Sequence, residues 1–323
     1  MAHCTIPSLS VRLESFLDRV AVQIVASATD RLAALKELVL HLRDVRRTTS
    51  RDDWIDLITI ARRHKISDLL LQDPLTHRSS LQPRGYQGDA ELLDLIYSRD
   101  PATVGIRDVS AIGREIFSFT IEGKAPAAVR TRCAALTQRI DRLAEERHRP
   151  DIFSLACGHM RELQGTAALR EKRLGEVLGI DQDPLSVAVV DQELGIYGVE
   201  AVRGSLGAVF AGPIAKRQFD FVYSTGLFDY LDDEVCALLT EALFKMVKPG
   251  GHMLVANYLP DIEDIGYMEA YMDWRLIYRS AKQLEAFVDR ISTSDMSAMS
   301  ICPDGDHQVA YLEIEKCESP VHG

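Results

Sequence analysis

The spacing of hydrophobic residues changes near residue 150. Before this point apolar side chains recur at intervals of three and four residues, which is typical of helices that bury one face. Two such stripes are Leu32, Leu35, Leu38, Val39 and Leu42, then Trp54, Leu57, Ile58 and Ala61. After this point short apolar runs alternate with helical stretches. The pattern predicts a helical domain over residues 1–149 and an α/β domain over residues 150–323.

Seven short runs in the second half are predicted to be strands. They cover residues 152–155, 176–180, 199–203, 218–224, 252–257, 298–302 and 308–315. A helix over residues 232–247 is expected to end at the turn Lys248-Pro249-Gly250-Gly251. The segment Pro303-Asp304-Gly305-Asp306 predicts a hairpin between the last two strands. Turn chemistry therefore explains these acids, with His307, more simply than a metal site does.

The turn after the first predicted strand has the features of a ligand site. Ala156, Cys157 and Gly158 are small enough for a ligand to approach the backbone, and a helix is expected to begin near Glu162. Asp181 ends the next strand, slightly more than 20 residues further on, where dinucleotide-type folds place an acid on ribose hydroxyls. We expect Gly158 and Asp181 to converge at one edge of the sheet.

Composition excludes several classes of protein. The 323 residues include 37 basic and 48 acidic side chains, a net charge of −11, which disfavours a generic electrostatic grip on nucleic acid or anionic membrane. No window approaches the roughly 20 apolar residues of a membrane span, so we expect a soluble, cytoplasmic protein. The six cysteines form no CxxC pair and the histidines no HxxxH pair, so no metal site is predicted.

The order of these motifs resembles that of class I S-adenosylmethionine-dependent methyltransferases across residues 150–315. The likeness rests on LACGHM after the first strand, Asp181, QFDFVYS and the Lys-Pro-Gly-Gly turn. It implies a mainly parallel, Rossmann-like sheet of seven strands with S-adenosyl-L-methionine as cofactor. Ala156 and Met160 stand where the family has glycines, and Met160 makes a dehydrogenase with a phosphate-bearing cofactor a poor alternative.

Three further segments resemble those of a bacterial subgroup that makes hydroxy fatty acid methyl esters, such as the 3-hydroxypalmitic acid methyl ester. They are QPRGYQGDAELLDLIY at residues 82–97, YSTGLFDYL at residues 223–231 and DWRLIYR at residues 273–279. In this likeness the first segment would fold over the cofactor as a lid. Residues 1–75 carry no motif that we can match.

The resemblance implies two sets of site residues. The expected cofactor-binding residues are Tyr86, Ala156, Cys157, Gly158, Glu162, Asp181, Gln182, Ser205, Leu206, Ser224, Thr225, Gly226 and Tyr230. The expected substrate-binding residues are Arg84, Tyr258, Tyr267, Tyr271, Trp274, Tyr278 and Arg279. Tyr267, Tyr271, Trp274 and Tyr278 also fall at helical spacing, so a helix packed on the sheet is an equal alternative to a pocket wall.

The expected activity is O-methylation of the carboxylate of a small or lipid-like organic acid. No His or Glu beside the fourth strand stands out as a general base, and a carboxylate, already ionised at neutral pH, needs none. Alternatives are a methyltransferase acting on a phenol, an amine or a peptide terminus, and a non-catalytic cofactor-binding protein. Nucleic acid is not an expected partner, whereas a homodimer is compatible with the sequence.

Overall fold

A computed structural model describes residues 6–318. The helices are α1 Ile6–Ala26, α2 Ala28–Thr48, α3 Arg51–Arg63, α4 Ile66–Leu70, α5 Pro74–Leu81, α6 Ala90–Ser98, α7 Ala111–Thr120, α8 Lys124–Glu146, α9 Arg161–Gly165, α10 Ala167–Arg170, α11 Pro184–Leu194, α12 Gly207–Phe210, α13 Asp233–Lys245, α14 Ile265–Tyr271 and α15 Ala281–Glu285. The strands are β1 Ile152–Leu155, β2 Val177–Asp181, β3 Val199–Arg203, β4 Phe219–Ser224, β5 Val247–Tyr258, β6 Met296–Pro303 and β7 Val309–Lys316.

The chain forms two compact units, one helical and one built on a sheet. The helical unit extends to Arg130 and includes Asp261–Arg275, and the sheet unit comprises Thr131–Pro260 and the chain from Leu276. The boundary between the units in the chain therefore falls within α8, and the helical unit includes a segment that follows β5. These bounds differ from the domain boundary at residues 149 and 150 that we expect from the sequence, which stays a prediction.

Helix ends in the helical unit follow local capping chemistry. Ser27, Ser50 and Asp73 accept hydrogen bonds from the first turns of α2, α3 and α5. The predicted stripes form the buried faces of α2 and α3, except that Leu32 is 55% exposed, because it lies on the outer side of α2.

Glu269 explains why a segment after β5 belongs to the helical unit. This buried carboxylate accepts from Trp54 Nε1 at 2.6 Å and from Arg46 Nε at 3.0 Å. Arg62 donates to the backbone carbonyl of Ala270 and to the Asp273 carboxylate. A buried charge that is paired and hydrogen-bonded is costly to separate from its partners, so these contacts hold α14 in this unit.

The sheet unit contains the predicted seven-stranded sheet, in the order β3-β2-β1-β4-β5-β7-β6. Strands β1 to β5 are parallel, and β7 is antiparallel to both β5 and β6. The turn predicted at residues 248–251 is wrong, because this segment is the first part of β5. Pro249 is accommodated where the register between β4 and β5 is irregular.

Helices cover both faces of the sheet, as expected for this fold. On one face α8 packs Leu136, Ile140 and Leu143 against a core that includes Phe221 and Leu254. The core of the opposite face is built on α13, on residues 284–291 and on the alternate side chains of the same strands. Strand order reverses between β1 and β4, so a ligand site is expected at the carboxyl ends of these two strands.

Candidate active site

The turn after β1 keeps the backbone of a glycine-rich loop with only one glycine. Ala156, Gly158 and Met160 have φ angles of 53°, 55° and 49°, at the three positions where the family has glycines. L-residues other than glycine adopt this region at a cost of roughly 1–2 kcal/mol. The surrounding structure holds the loop in this form, so its backbone is shaped for close approach of a ligand despite two side chains.

Gly179 on β2 leaves room for the side chains of this turn. A Cβ at Gly179 would lie 2.7 Å from Cys157 Sγ and 3.0 Å from Met160 Sδ. Cys157 and Met160 are both buried, and burial raises the pKa of the Cys157 thiol well above its usual range. The sulfur atoms of the turn therefore pack on the sheet as apolar groups, and Cys157 contributes shape rather than a reactive thiolate.

Asp181 joins the turns that follow β1 and β2. Its Oδ2 accepts from Gly158 N at 2.8 Å, its Oδ1 accepts from Asp183 N at 2.9 Å, and its backbone carbonyl accepts from Gly204 N. Burial raises the pKa of this carboxyl group. Each carboxylate oxygen has a second acceptor site, so Asp181 still has capacity for two ribose hydroxyls. Gly158 and Asp181 do converge, as expected, through a direct hydrogen bond.

Glu162 lies at the first turn of α9 and is nearly buried. Its Oε1 accepts from the Tyr223 hydroxyl at 2.5 Å, and burial raises the pKa of the carboxyl group. Tyr223 comes from β4, so this contact ties the turn after β1 to the neighbouring strand. The second carboxylate oxygen suits the cofactor's ammonium group, and that role stays a prediction.

The remaining predicted cofactor residues lie on loops at the carboxyl ends of the strands. Gln182 and Ser205 are exposed, and Leu206 packs partly against the core. Ser224 is buried and donates to the Leu155 carbonyl, which links β4 to β1. Tyr230 is 37% exposed in the short helical turn after β4. The sheet unit thus brings together the turns after β1, β2, β3 and β4, and their contacts with a cofactor stay predictions.

Two charged residues near the end of β4 were not predicted from the sequence. Arg132 on α8 is 6% exposed, and its Nη2 lies 3.8 Å from the place of a Cβ on Gly226. Asp229, 2% exposed, accepts from Tyr258 N at 2.7 Å, and burial raises its pKa to about 6 although Arg132 and Arg279 oppose the rise. The YSTGLFDYL motif contains Asp229, but no local pattern connects Arg132 to this strand.

Arg279 is one of the residues expected to bind the substrate, and that role stays a prediction. Its side chain is fully buried, and it donates to the Asp233 carboxylate, the Asn257 side-chain oxygen and the carbonyls of Phe228 and Leu231. Four hydrogen bonds leave little capacity for a substrate anion. Arg279 fixes the segment after β4 to the end of β5.

The predicted aromatic wall divides between the two units. Tyr267, Tyr271 and Trp274 are buried in the helical unit, where the Tyr267 hydroxyl contacts Thr76 Oγ1 at 3.0 Å. Tyr258 and Tyr278 belong to the sheet unit. Tyr267 and Trp274 line a cavity of about 20 Å³, which is the size of one water molecule. As it stands, the helical unit uses these rings mainly for packing.

Arg84 and Tyr86, the residues of the expected lid, lie in the helical unit before α6. Arg84 Nη2 is 3.4 Å from the Glu91 carboxylate, and Tyr86 is partly buried. Their action on cofactor or substrate stays a prediction. Within residues 6–318 no cluster of three His, Cys, Asp or Glu side chains could hold a metal ion, and no helix there is long and apolar enough to span a bilayer.

The residues at the carboxyl ends of β1 and β2 fit S-adenosylmethionine. The left-handed turn offers its backbone, Asp181 suits two hydroxyl groups, and no phosphate has to be accommodated beside Met160. Residues 153–255 also match a family model described as a methyltransferase domain. The chain is therefore a methyltransferase that uses S-adenosylmethionine, on a Rossmann-like class I fold.

Solved structures with a similar fold come from several bacteria. A "possible exported protein" from Bordetella parapertussis has a TM-score of 0.56 at 17% identity, over 90% of this chain and 97% of that one. For the magnesium protoporphyrin IX methyltransferase from Synechocystis PCC 6803 with bound SAH, the TM-score is 0.45 at 10% identity, over 71% of this chain and 100% of that one. For the N-methyltransferase NodS from Bradyrhizobium japonicum WM9, the TM-score is 0.41 at 12% identity, over 58% of this chain and 97% of that one. No curated protein matches the chain.

Proposed function

We propose that the protein transfers the methyl group of S-adenosylmethionine to the carboxylate of a small or lipid-like organic acid. The observation that carries this proposal is Arg132, a nearly buried arginine beside Gly226 at the end of β4. Gly226 belongs to the expected floor beneath the cofactor's sulfonium. An arginine can hold a carboxylate by two parallel hydrogen bonds, which fixes both its position and its orientation.

The reaction asks the protein chiefly for positioning. The cofactor supplies an activated methyl group, and the acceptor oxygen must be held in line at about 3–3.5 Å from it. Gly226 has no side chain to block this approach, Arg132 would hold the carboxylate, and Asp181 would hold the ribose. An acid with a solution pKa near ~4 is already ionised at neutral pH, so no proton has to be removed.

The first experiment is methyl transfer from labelled cofactor to a panel of organic acids, with and without a 3-hydroxyl group. An ester product releases its label in mild alkali. We expect Arg132→Gln to lower kcat/KM at least about tenfold, the loss of one charge-assisted contact, and Arg132→Lys to recover part of it. Arg290→Gln, at an exposed arginine of the same unit, is the matched control. Failure to form any alkali-labile product would reject carboxylate methylation.

Asp229 supports a second candidate, the methylation of a phenol or an amine. Its pKa of about 6 is close to that of an efficient general base at neutral pH. If this candidate is right, the product is stable in alkali, and Asp229→Asn removes the acidic limb of the kcat profile. A peptide terminus is tested by the same alkali treatment, whereas the methyltransferase domain argues against a protein that only binds the cofactor.

Three finer expectations also belong to this proposal. They are membership of the hydroxy fatty acid methyl ester subgroup, the lid formed by Arg84 and Tyr86, and a cytoplasmic protein that assembles, if at all, as a homodimer. The 3-hydroxy acids in the panel test the first. Cofactor affinity of Tyr86→Ala tests the second, and cell fractionation with solution mass measurement tests the third.

A further inference from the structure

A groove in the sheet unit extends along α8 away from the candidate active site. It runs between α8 and the strands β5, β7 and β6, and has a volume of about 250 Å³. Leu136 and Leu254 give it an apolar floor, Arg139 and Arg142 line its helical side, and Tyr311 and Cys302 come from the last two strands. Its volume is close to the lower end of the range for small-molecule sites, and it is more than ten times that of the cavity beside Trp274.

The charges in the groove leave one arginine unbalanced. Arg139 pairs with the Glu313 carboxylate across the groove. Arg142 is exposed one helical turn further along α8, and within residues 6–318 it makes no ion pair or hydrogen bond. In a chain with a net charge of −11, this local excess of positive charge favours an anion.

Tyr311 gives the groove a polar group that the protein does not use. Its hydroxyl is buried and has no hydrogen-bond partner among the described residues. A buried hydroxyl without a partner is unfavourable, so a ligand that hydrogen-bonds to it would gain from the contact. An apolar floor with one cation and one hydroxyl suits an amphiphilic anion better than a flat protein partner.

The Arg142 end of the groove is too far from Arg132 to hold the group that is methylated. Glu313 pairs with Leu254, four residues before Tyr258 at the end of β5. Leu254 is level with Tyr223, one residue before the end of β4, so the groove reaches the carboxyl edge at its Tyr311 end. Arg142 is at the other end, ten residues after Arg132 and therefore about 15 Å from it along α8. Arg142 lies further along α8 in the direction of Arg147, which contacts Asp220 near the start of β4.

We propose that this groove is a second ligand site, which binds a small organic acid with its carboxylate at Arg142 and its apolar body on Leu136 and Leu254. The carboxylate position at Arg142 is separate from Arg132, where the methyl acceptor is proposed to bind. It does not depend on the identity of the methyl acceptor, because Arg142 and Tyr311 recognise the ligand without the cofactor.

Cys302 allows a test at this site alone, because it is exposed and lines the groove. The experiment measures the rate of Cys302 alkylation by a neutral maleimide, mapped by mass spectrometry on the full chain without cofactor. Octanoate is the probe and octanamide its neutral counterpart. Cys317, outside the groove lining, is the internal reference, and each variant is compared with itself with and without probe.

We expect saturating octanoate to slow Cys302 alkylation about fivefold or more, with Cys317 unaffected. Arg142→Gln should raise the half-protecting concentration of octanoate about tenfold, as expected for one charge-assisted contact. It should leave the value for octanamide unchanged, and Arg290→Gln should change neither. The proposal is overturned if octanoate gives no protection, or if Arg142→Gln and Arg290→Gln behave alike. Protection of Cys302 that rises with protein concentration and not with octanoate concentration would also overturn it, because a second copy of the chain would then cover the groove.

Discussion

Replacing Asp181 by asparagine gives the sharpest test of the cofactor site, because it removes one charge and little volume. In the protein each Asp181 oxygen accepts a backbone N–H, from Gly158 at 2.8 Å and from Asp183 at 2.9 Å. Asparagine keeps one of these acceptors and turns an amide N–H₂ toward the other donor. One buried hydrogen bond is lost, which costs about 1–3 kcal/mol of folding stability, partly offset because no buried charge remains.

Cofactor binding should lose more than this folding effect explains. A carboxylate that accepts from ribose hydroxyls contributes about 1.5–3 kcal/mol, so we expect the Kd for S-adenosylhomocysteine to rise about ten- to hundredfold. Calorimetric titration measures the Kd, and thermal unfolding verifies that the variant is folded at the assay temperature. Asp183→Asn is the matched control, since Asp183 caps α11 and asparagine caps a helix about equally well. A folded Asp181→Asn protein that binds within twofold of wild type, or an equal loss in Asp183→Asn, would refute the assignment.

Three further predictions test the supporting structure. Gly179→Ala should weaken cofactor binding and lower the free energy of unfolding by about 1–3 kcal/mol, because the new methyl group overlaps the sulfur atoms of the turn after β1. Calorimetry measures the binding and urea unfolding the stability. Gly195→Ala, where a Cβ meets open space, should show neither effect. Arg279→Gln should destabilise the fold by about 3–5 kcal/mol in urea unfolding, since it leaves buried acceptors without donors, whereas Arg275→Gln at a half-exposed side chain should change it by less than about 1 kcal/mol. Burial raises the pKa of Asp264 from 3.8 to about 6, so the folded state favours the protonated carboxyl group. Wild type should therefore lose up to about 3 kcal/mol of stability relative to Asp264→Asn as pH rises from about 4 to 7. A stability difference between the two proteins that does not change with pH would contradict this.

Local patterns predicted most of the strands and the acid at the end of β2. The bounds of β1 and β3 agree with the sequence, and those of β2, β4, β6 and β7 differ by one or two residues. Such runs are recognisable because buried strands need consecutive or alternating apolar residues, whatever their partners are. The start of β5 was missed because Pro249 and the two glycines after it resemble a turn. In the structure this segment is the first part of β5, with an irregular register beside β4.

The sequence could not predict which side chains would lose their exposure to solvent. Arg279 and Tyr267 look like ligand contacts in a linear motif, yet one fastens the end of β5 and the other packs beside Thr76. Arg132 shows the opposite case, since nothing around it in the sequence points to Gly226, 94 positions away. The burial of a side chain and its hydrogen-bond partners depend on residues that are distant in the sequence, so a local pattern predicts them only in part.

Spacing between near neighbours in the chain is enough to predict helices before residue 150, alternating strands and helices after it, and the convergence of Gly158 with Asp181. Only long-range contacts assign Asp261–Arg275 to the helical unit, since Glu269 contacts Trp54 across more than 200 residues. They also decide that Ala156 and Met160 take the backbone of glycines, because packing around the turn outweighs their local preference. Long-range contacts can impose a conformation that local propensity disfavours, and in this protein they do so at the site itself.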